Sequence, residues 1–196
     1  VVATRDRVLA FLRPLRGCDW QVRVPELEWS CTETLRHMIN AQLSYAAHFA
    51  SRSTRRLAVW RDVDPGLDVD ALLDNLEAHV SVLAAVIRDA SPKARSWHNS
   101  GMTDRTGYAA ISCDELLVHT GDIGRGLGEP FELPGELCGR VVSRLFPMWV
   151  PIEAPPADAF LWCNGRIALP DRPRLGPDWG WWSRPLEEWG GSDPDA

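Results

Sequence analysis

The chain has 196 residues, 45% of them hydrophobic, and a formal net charge of −6. That length suits one domain with a sizeable core, and the acidic balance argues against a nucleic-acid partner, which needs a basic face. The longest apolar run, Val82 to Ile87, is too short to span a bilayer.

Cys18, Cys31, Cys113, Cys138 and Cys163 are an odd number of cysteines with no C-x-x-C pair. Neither a disulfide framework nor a thiolate zinc site is expected from them. Arg5, Asp6 and Arg7 interrupt the apolar stretch ahead of Val8, so no secretory signal pattern is read. The expectation is a cytoplasmic monomer or homodimer with reduced, buried cysteines. Its partners are small molecules rather than nucleic acid or membrane.

Thr4 to Leu15 reads as a first helix, with Val8, Leu9 and Leu12 at core spacing and Pro14 near its end. Gly17 to Glu28 is an extended connector. Ser30-Cys31-Thr32-Glu33 is a capping box that opens a second helix, each side chain satisfying a free backbone N–H. Leu35, Ile39, Leu43, Ala46 and Ala50 mark the apolar stripe of that helix. His37 falls roughly opposite, beside Ala41 and Ser44, where periodicity makes it a surface residue. His48 lies three turns further, about 16 Å along the axis.

Arg52 to Gly66 reads as a linker closed by an Asp64-Pro65-Gly66 turn. Asp68 to Ala90 is a third helix with the stripe Leu73, Leu76, Val80, Leu83 and Ile87, and His79 at its edge. Ser91 to Met102 reads as a loop whose Trp97 and His98 pack at the surface. A fourth helix runs from a Thr103 or Asp104 cap to Arg125, followed by Gly126.

Beyond Gly128 the character changes, since eleven of the 15 prolines and six of the 10 tryptophans lie there. A helix is expected from Gly135 to Phe146, and a short one from an Asp158 cap to Asn164, stopped by Gly165. The remainder is too proline-rich for long regular structure and too aromatic for disorder. It should wrap over the helices, its tryptophans packing or lining a ligand groove. Gly190 to Ala196 reads as a frayed tail.

The stretch Cys113 to Asp122 carries the chemistry. As a helix it sets Glu115 and His119 one turn apart on one face, with Asp122 a turn on. Ile111, Val118, Leu116 and Ile123 surround that polar stripe, so it faces a core. Buried carboxylate and imidazole need partners. A divalent metal is one; a core hydrogen bond between the two is the other. Cys113 points about 200° away around the helix and is a poor shared ligand.

Three stretches together resemble a known family. Trp29-Ser30-Cys31-Thr32-Glu33-Thr34-Leu35-Arg36-His37-Met38 and Glu115-Leu116-Leu117-Val118-His119-Thr120-Gly121-Asp122 are similar to paired helix motifs of the DinB-like superfamily. The specific likeness is to its mycothiol-dependent maleylpyruvate isomerase branch. Arg144-Leu145-Phe146-Pro147, Leu161-Trp162-Cys163-Asn164-Gly165-Arg166 and Trp179-Gly180-Trp181 resemble an actinobacterial subgroup.

The resemblance implies an all-α, up-and-down four-helix bundle over residues 1–128. Residues 129–196 would add a helix and a Trp/Pro-rich irregular extension packed on the bundle. It also implies one metal, usually zinc, held by His37, Glu115 and His119; nickel and iron suit the same donors. That overrides the periodicity reading of His37. Asp122 would orient a ligand histidine. Arg166 would bind a carboxylate of thiol or substrate, or form a structural salt bridge.

The implied chemistry is that of a metal-activated small thiol, such as mycothiol, bacillithiol or glutathione, acting on an electrophile. The activity would be S-transferase or thiol-assisted isomerase. The isomerases carry a separate arginine-bearing C-terminal domain that does not align with residues 129–196, so metal-bound thiol chemistry is expected ahead of maleylpyruvate isomerisation. The alternatives are a hydrolase at the same metal and a non-catalytic small-molecule binding or resistance protein.

Overall fold

A computed structural model describes residues 1–25, 27–58, 66–176 and 179–191. Asp64 and Pro65 of the expected turn, and the tail beyond residue 191, lie outside the described residues. The chain is mainly helical. Helix α1, Val2–Leu12, passes into a 3-10 turn at Arg13–Leu15, where Pro14 ends the α-helical ladder. Helix α2 is Cys31–Ser51, opened by the capping box: Glu33 N–H donates to Ser30 Oγ (3.2 Å) and Ser30 N–H to Glu33 Oε2 (2.7 Å). Helix α3, Val69–Asp89, is capped by Asp68, which accepts from Ala71 N–H.

The expected loop after α3 contains a hairpin instead. Strands β1, Ser96–His98, and β2, Gly101–Thr103, pair antiparallel with His98 opposite Gly101. Long-range bonds fix it to the end of α2: Ser96 Oγ donates to His48 O (2.6 Å) and Trp97 N–H to Ser53 O (2.7 Å). These partners lie over forty residues upstream, so no local pattern announces them.

Helix α4, Arg105–Leu127, starts from Asp104, which accepts from Gly107 N–H at 2.7 Å. It runs two residues past the expected Arg125. Gly126 lies inside it, where a Cβ would meet Cys31 Sγ at 2.6 Å, and Gly128 makes the left-handed exit at φ 76°. Helices α5, Gly135–Leu145, and α6, Pro156–Cys163, follow. Asp158 sits in the first turn of α6 rather than at its cap, because Pro156, with its preset φ, already starts the helix.

Helix α2 packs on α3 and α4, α1 packs on the same two, and α5 packs on α4 and α6. One apolar cluster joins α1, α2 and α3 to Leu116 and Ile123 of α4. A second joins Ile111, Leu117 and Val118 of α4 to α5, α6 and the segment beyond. Helix α4 therefore has neighbours on every side, and each residue from Ile111 to Gly124 is buried. Arg144 of α5 ties the C-terminal segment down. It donates to Asp104 (2.7 Å), Thr106 (2.9 Å) and the carbonyls of Trp182 (3.2 Å) and Ser183 (3.3 Å).

Four cysteines are buried and Cys18 is exposed. No helix among the described residues is long and apolar enough to cross a membrane.

Candidate metal centre

Burial of α4 from Ile111 to Gly124 takes its polar residues out of bulk water, which favours protein partners for them. Glu115 and His119 pair one turn apart: His119 Nε2 lies 3.2 Å from Glu115 Oε2. His37 reaches the same oxygen from α2, its Nε2 at 3.1 Å. These three donor atoms lie within 4.8 Å of one another, a set able to hold a metal ion. The other carboxylate oxygen, Oε1, accepts from the Tyr45 hydroxyl at 2.8 Å.

His119 is held from behind. Its Nδ1–H donates to Asp122 Oδ2 at 3.0 Å, and an ionised carboxylate can only accept, so Nδ1 carries the proton. Asp122 in turn accepts two bonds from Arg166, Nε at 2.9 Å and Nη2 at 2.7 Å, and one from Arg125. The Nη1–H of Arg166 donates to Asn164 O at 2.7 Å. Trp29 closes the outer side, its ring centroid 4.9 Å from His37 and 6.5 Å from His119.

A family model for the mycothiol maleylpyruvate isomerase N-terminal domain matches residues 1–124. The chain belongs to that family. No curated protein and no solved structure matches it. His37, Glu115, His119 and Asp122 lie inside the mycothiol maleylpyruvate isomerase segment. Arg166 lies beyond it, so the polar chain Glu115–His119–Asp122–Arg166 joins the family segment to the residues that follow.

Charge is balanced within this chain. Burial pushes Glu115 up, but bonds from His119 and His37 outweigh it and hold the carboxylate well below its usual range. Burial likewise disfavours charge on His119, yet Asp122 and Glu115 raise it to about 9. Asp122 is held low against burial by Arg166 and His119. Without a metal the cluster therefore stores a proton on His119, which a cation would replace.

A cavity of about 500 Å³ opens beside the cluster, its wall including His37, Tyr45, Glu115, Trp97, His98 and Trp181. The polar face of α2 that periodicity assigned to solvent is this wall. His37 is 36% exposed, and Ser44, Tyr45 and His48 line the same space. His48 is saturated there, with Nδ1–H donating to Ser44 O (2.7 Å) and Nε2 accepting from Leu57 N–H (3.0 Å).

His98, expected at the surface, is buried on the hairpin instead. Neither Tyr45 nor His98 belongs to a local motif, so the sequence does not mark them as site residues. The placement of Tyr45 two turns after His37 was the one available signal.

Proposed function

We propose that this protein is a metal-dependent enzyme of small-thiol chemistry. In this reading His37, Glu115 and His119 hold one divalent ion, zinc as the family resemblance implies. The cavity takes a thiol such as mycothiol and a small electrophile, for S-transfer or thiol-assisted isomerisation. The observation that carries the reading is convergence of three donor atoms from two helices at the edge of a substrate-sized cavity. When bound, the ion supplies Lewis acidity that favours thiolate over thiol near neutral pH.

The chain's own residues prepare the site. Asp122 accepts from the Nδ1–H of His119 and so keeps the proton on Nδ1, which leaves Nε2 as the ligating atom. Tyr45 occupies Glu115 Oε1, so Oε2 is the free donor. Arg166 acts as a positioning residue through Asp122, to which its Nε and Nη2 both donate, while Nη1 is tied to Asn164 O. Trp97, Tyr108 and Trp181 give the cavity aromatic walls. Helices α1 to α4, within residues 1–128, form the up-and-down four-helix bundle of DinB-like proteins; residues 129–196 are an extension closing the cavity through Trp181. The protein acts in the cytoplasm.

The test is metal content per chain by mass spectrometry on tag-free protein, with His37→Ala and His119→Ala alongside. Near-stoichiometric metal in the wild type, lost in both variants, supports the reading. A wild type that carries no metal and takes up no zinc refutes it. Turnover that needs no added thiol would replace thiol transfer with hydrolysis.

A further inference from the structure

The cavity has two chemically different ends. At the cluster, Glu115 already accepts from His37, His119 and Tyr45. Its negative charge is balanced there by the His119 imidazolium. The far wall, one tyrosine ring away, holds unused donors. Tyr45 and His98 have ring centroids 5.8 Å apart, and Ser100 N–H donates to His98 Nδ1 at 3.2 Å.

That bond fixes the neutral ring as the Nε2–H tautomer. No acceptor among the described residues takes the Nε2 proton. Burial pulls His98 down to about 4, against the raising effect of Glu115 and with a lowering one from His48, so the ring is neutral at working pH.

Two further residues line the same cavity. Trp181 packs its ring against that of His98, the centroids 5.7 Å apart, and so backs the imidazole from the C-terminal segment. Arg56 lines the cavity as well, and no carboxylate among the described residues pairs with it. Donors without acceptors, with a cation among them, are the signature of a site built for an anionic oxygen.

We propose that the wall formed by His98, Arg56 and Trp181 recognises a carboxylate on the small-molecule substrate, with His98 Nε2–H donating to it and Arg56 supplying the charge. Calling that molecule a substrate rests on the proposed function; binding of the carboxylate does not. The anion is held away from Glu115, so the opposite end of the molecule is presented to the cluster. Trp181 lies outside the family segment, which makes the extension a determinant of selectivity.

The experiment is a tryptophan-fluorescence titration with benzoate and its neutral isostere benzamide, on chelator-treated protein and again on zinc-loaded protein. We expect benzoate to bind the chelator-treated protein about tenfold more tightly than benzamide, the margin of one charged hydrogen bond. Arg56→Met and His98→Phe should each weaken benzoate about tenfold and leave benzamide nearly unchanged. His98→Phe also strands the Ser100 N–H, so the exposed Arg56→Met keeps the test independent of hairpin folding. The proposal is overturned if benzoate does not bind, binds no better than benzamide, or keeps its affinity in Arg56→Met. Binding seen only with zinc present overturns it too, by placing the carboxylate at the cluster. The chelator-treated arm is indifferent to whether His37, Glu115 and His119 ligate, so failure here is distinguishable from failure of the metal reading.

Discussion

Asp122→Asn tests how the cluster is oriented. The substitution keeps shape and removes charge from a side chain that accepts from His119, Arg166 and Arg125. An amide cannot serve all three. With its oxygen toward His119, its NH2 faces the arginines, donor against donor. Flipped, the NH2 faces His119 Nδ1 and favours the tautomer whose Nε2 carries the proton and cannot ligate.

We expect zinc affinity to fall about 10–100-fold, the usual cost of losing a partner behind a ligating histidine. That is about 1.4–2.7 kcal/mol. The assay is competition against a chromophoric zinc chelator at pH 7.5, with circular dichroism confirming the fold. Arg166→Met is the control, since it leaves the Asp122–His119 bond in place and should cost stability more than zinc affinity. Zinc affinity within twofold of wild type in Asp122→Asn would refute the reasoning, as would an equal loss in Arg166→Met.

Two other outcomes concern stability. Arg144→Met leaves the Asp104 carboxylate short of its cation and the Trp182 and Ser183 carbonyls without donors. Denaturant unfolding should show a loss of about 3–5 kcal/mol, and a loss under about 1 kcal/mol would count against the lock.

Burial raises Asp114 to about 7, with the bond from Asn164 opposing and Glu115 adding to the rise. Between the ordinary carboxylate pKa and about 7 the unfolded chain gives up a proton that the folded chain keeps, so Asp114 lowers stability as pH rises. Asp114→Asn should be near neutral at pH 4 and stabilising at pH 7.5, by at most about 4 kcal/mol. A Tm difference that does not grow between those pH values would contradict it.

What was legible in the sequence was local. The capping box at Ser30, the stripe of α3 and the Glu115/His119 spacing each depend on neighbours within a turn or two, and each element stands where the pattern put it. Gly126 does not end α4, because a glycine serves equally as an exit or as room for a neighbour, here Cys31. Periodicity misplaced His37 because it separates apolar from polar faces without telling solvent from a cavity; the family likeness corrected it. Tyr45, His98 and the Asp122–Arg166 pair depend on contacts 44 to 70 residues apart for which no local signal exists.

From Ile111 to Gly124, helix α4 has no exposed residue. A surface helix can change half of its residues with little consequence, and such positions absorb most of the drift between related sequences. From Ile111 to Gly124 no such reserve exists: a change that suits α2 must also suit α5 and the extension. Divergence of the C-terminal segment is therefore constrained by the same helix that carries the chemistry. Grafting a different extension onto this scaffold means redesigning α4 with it.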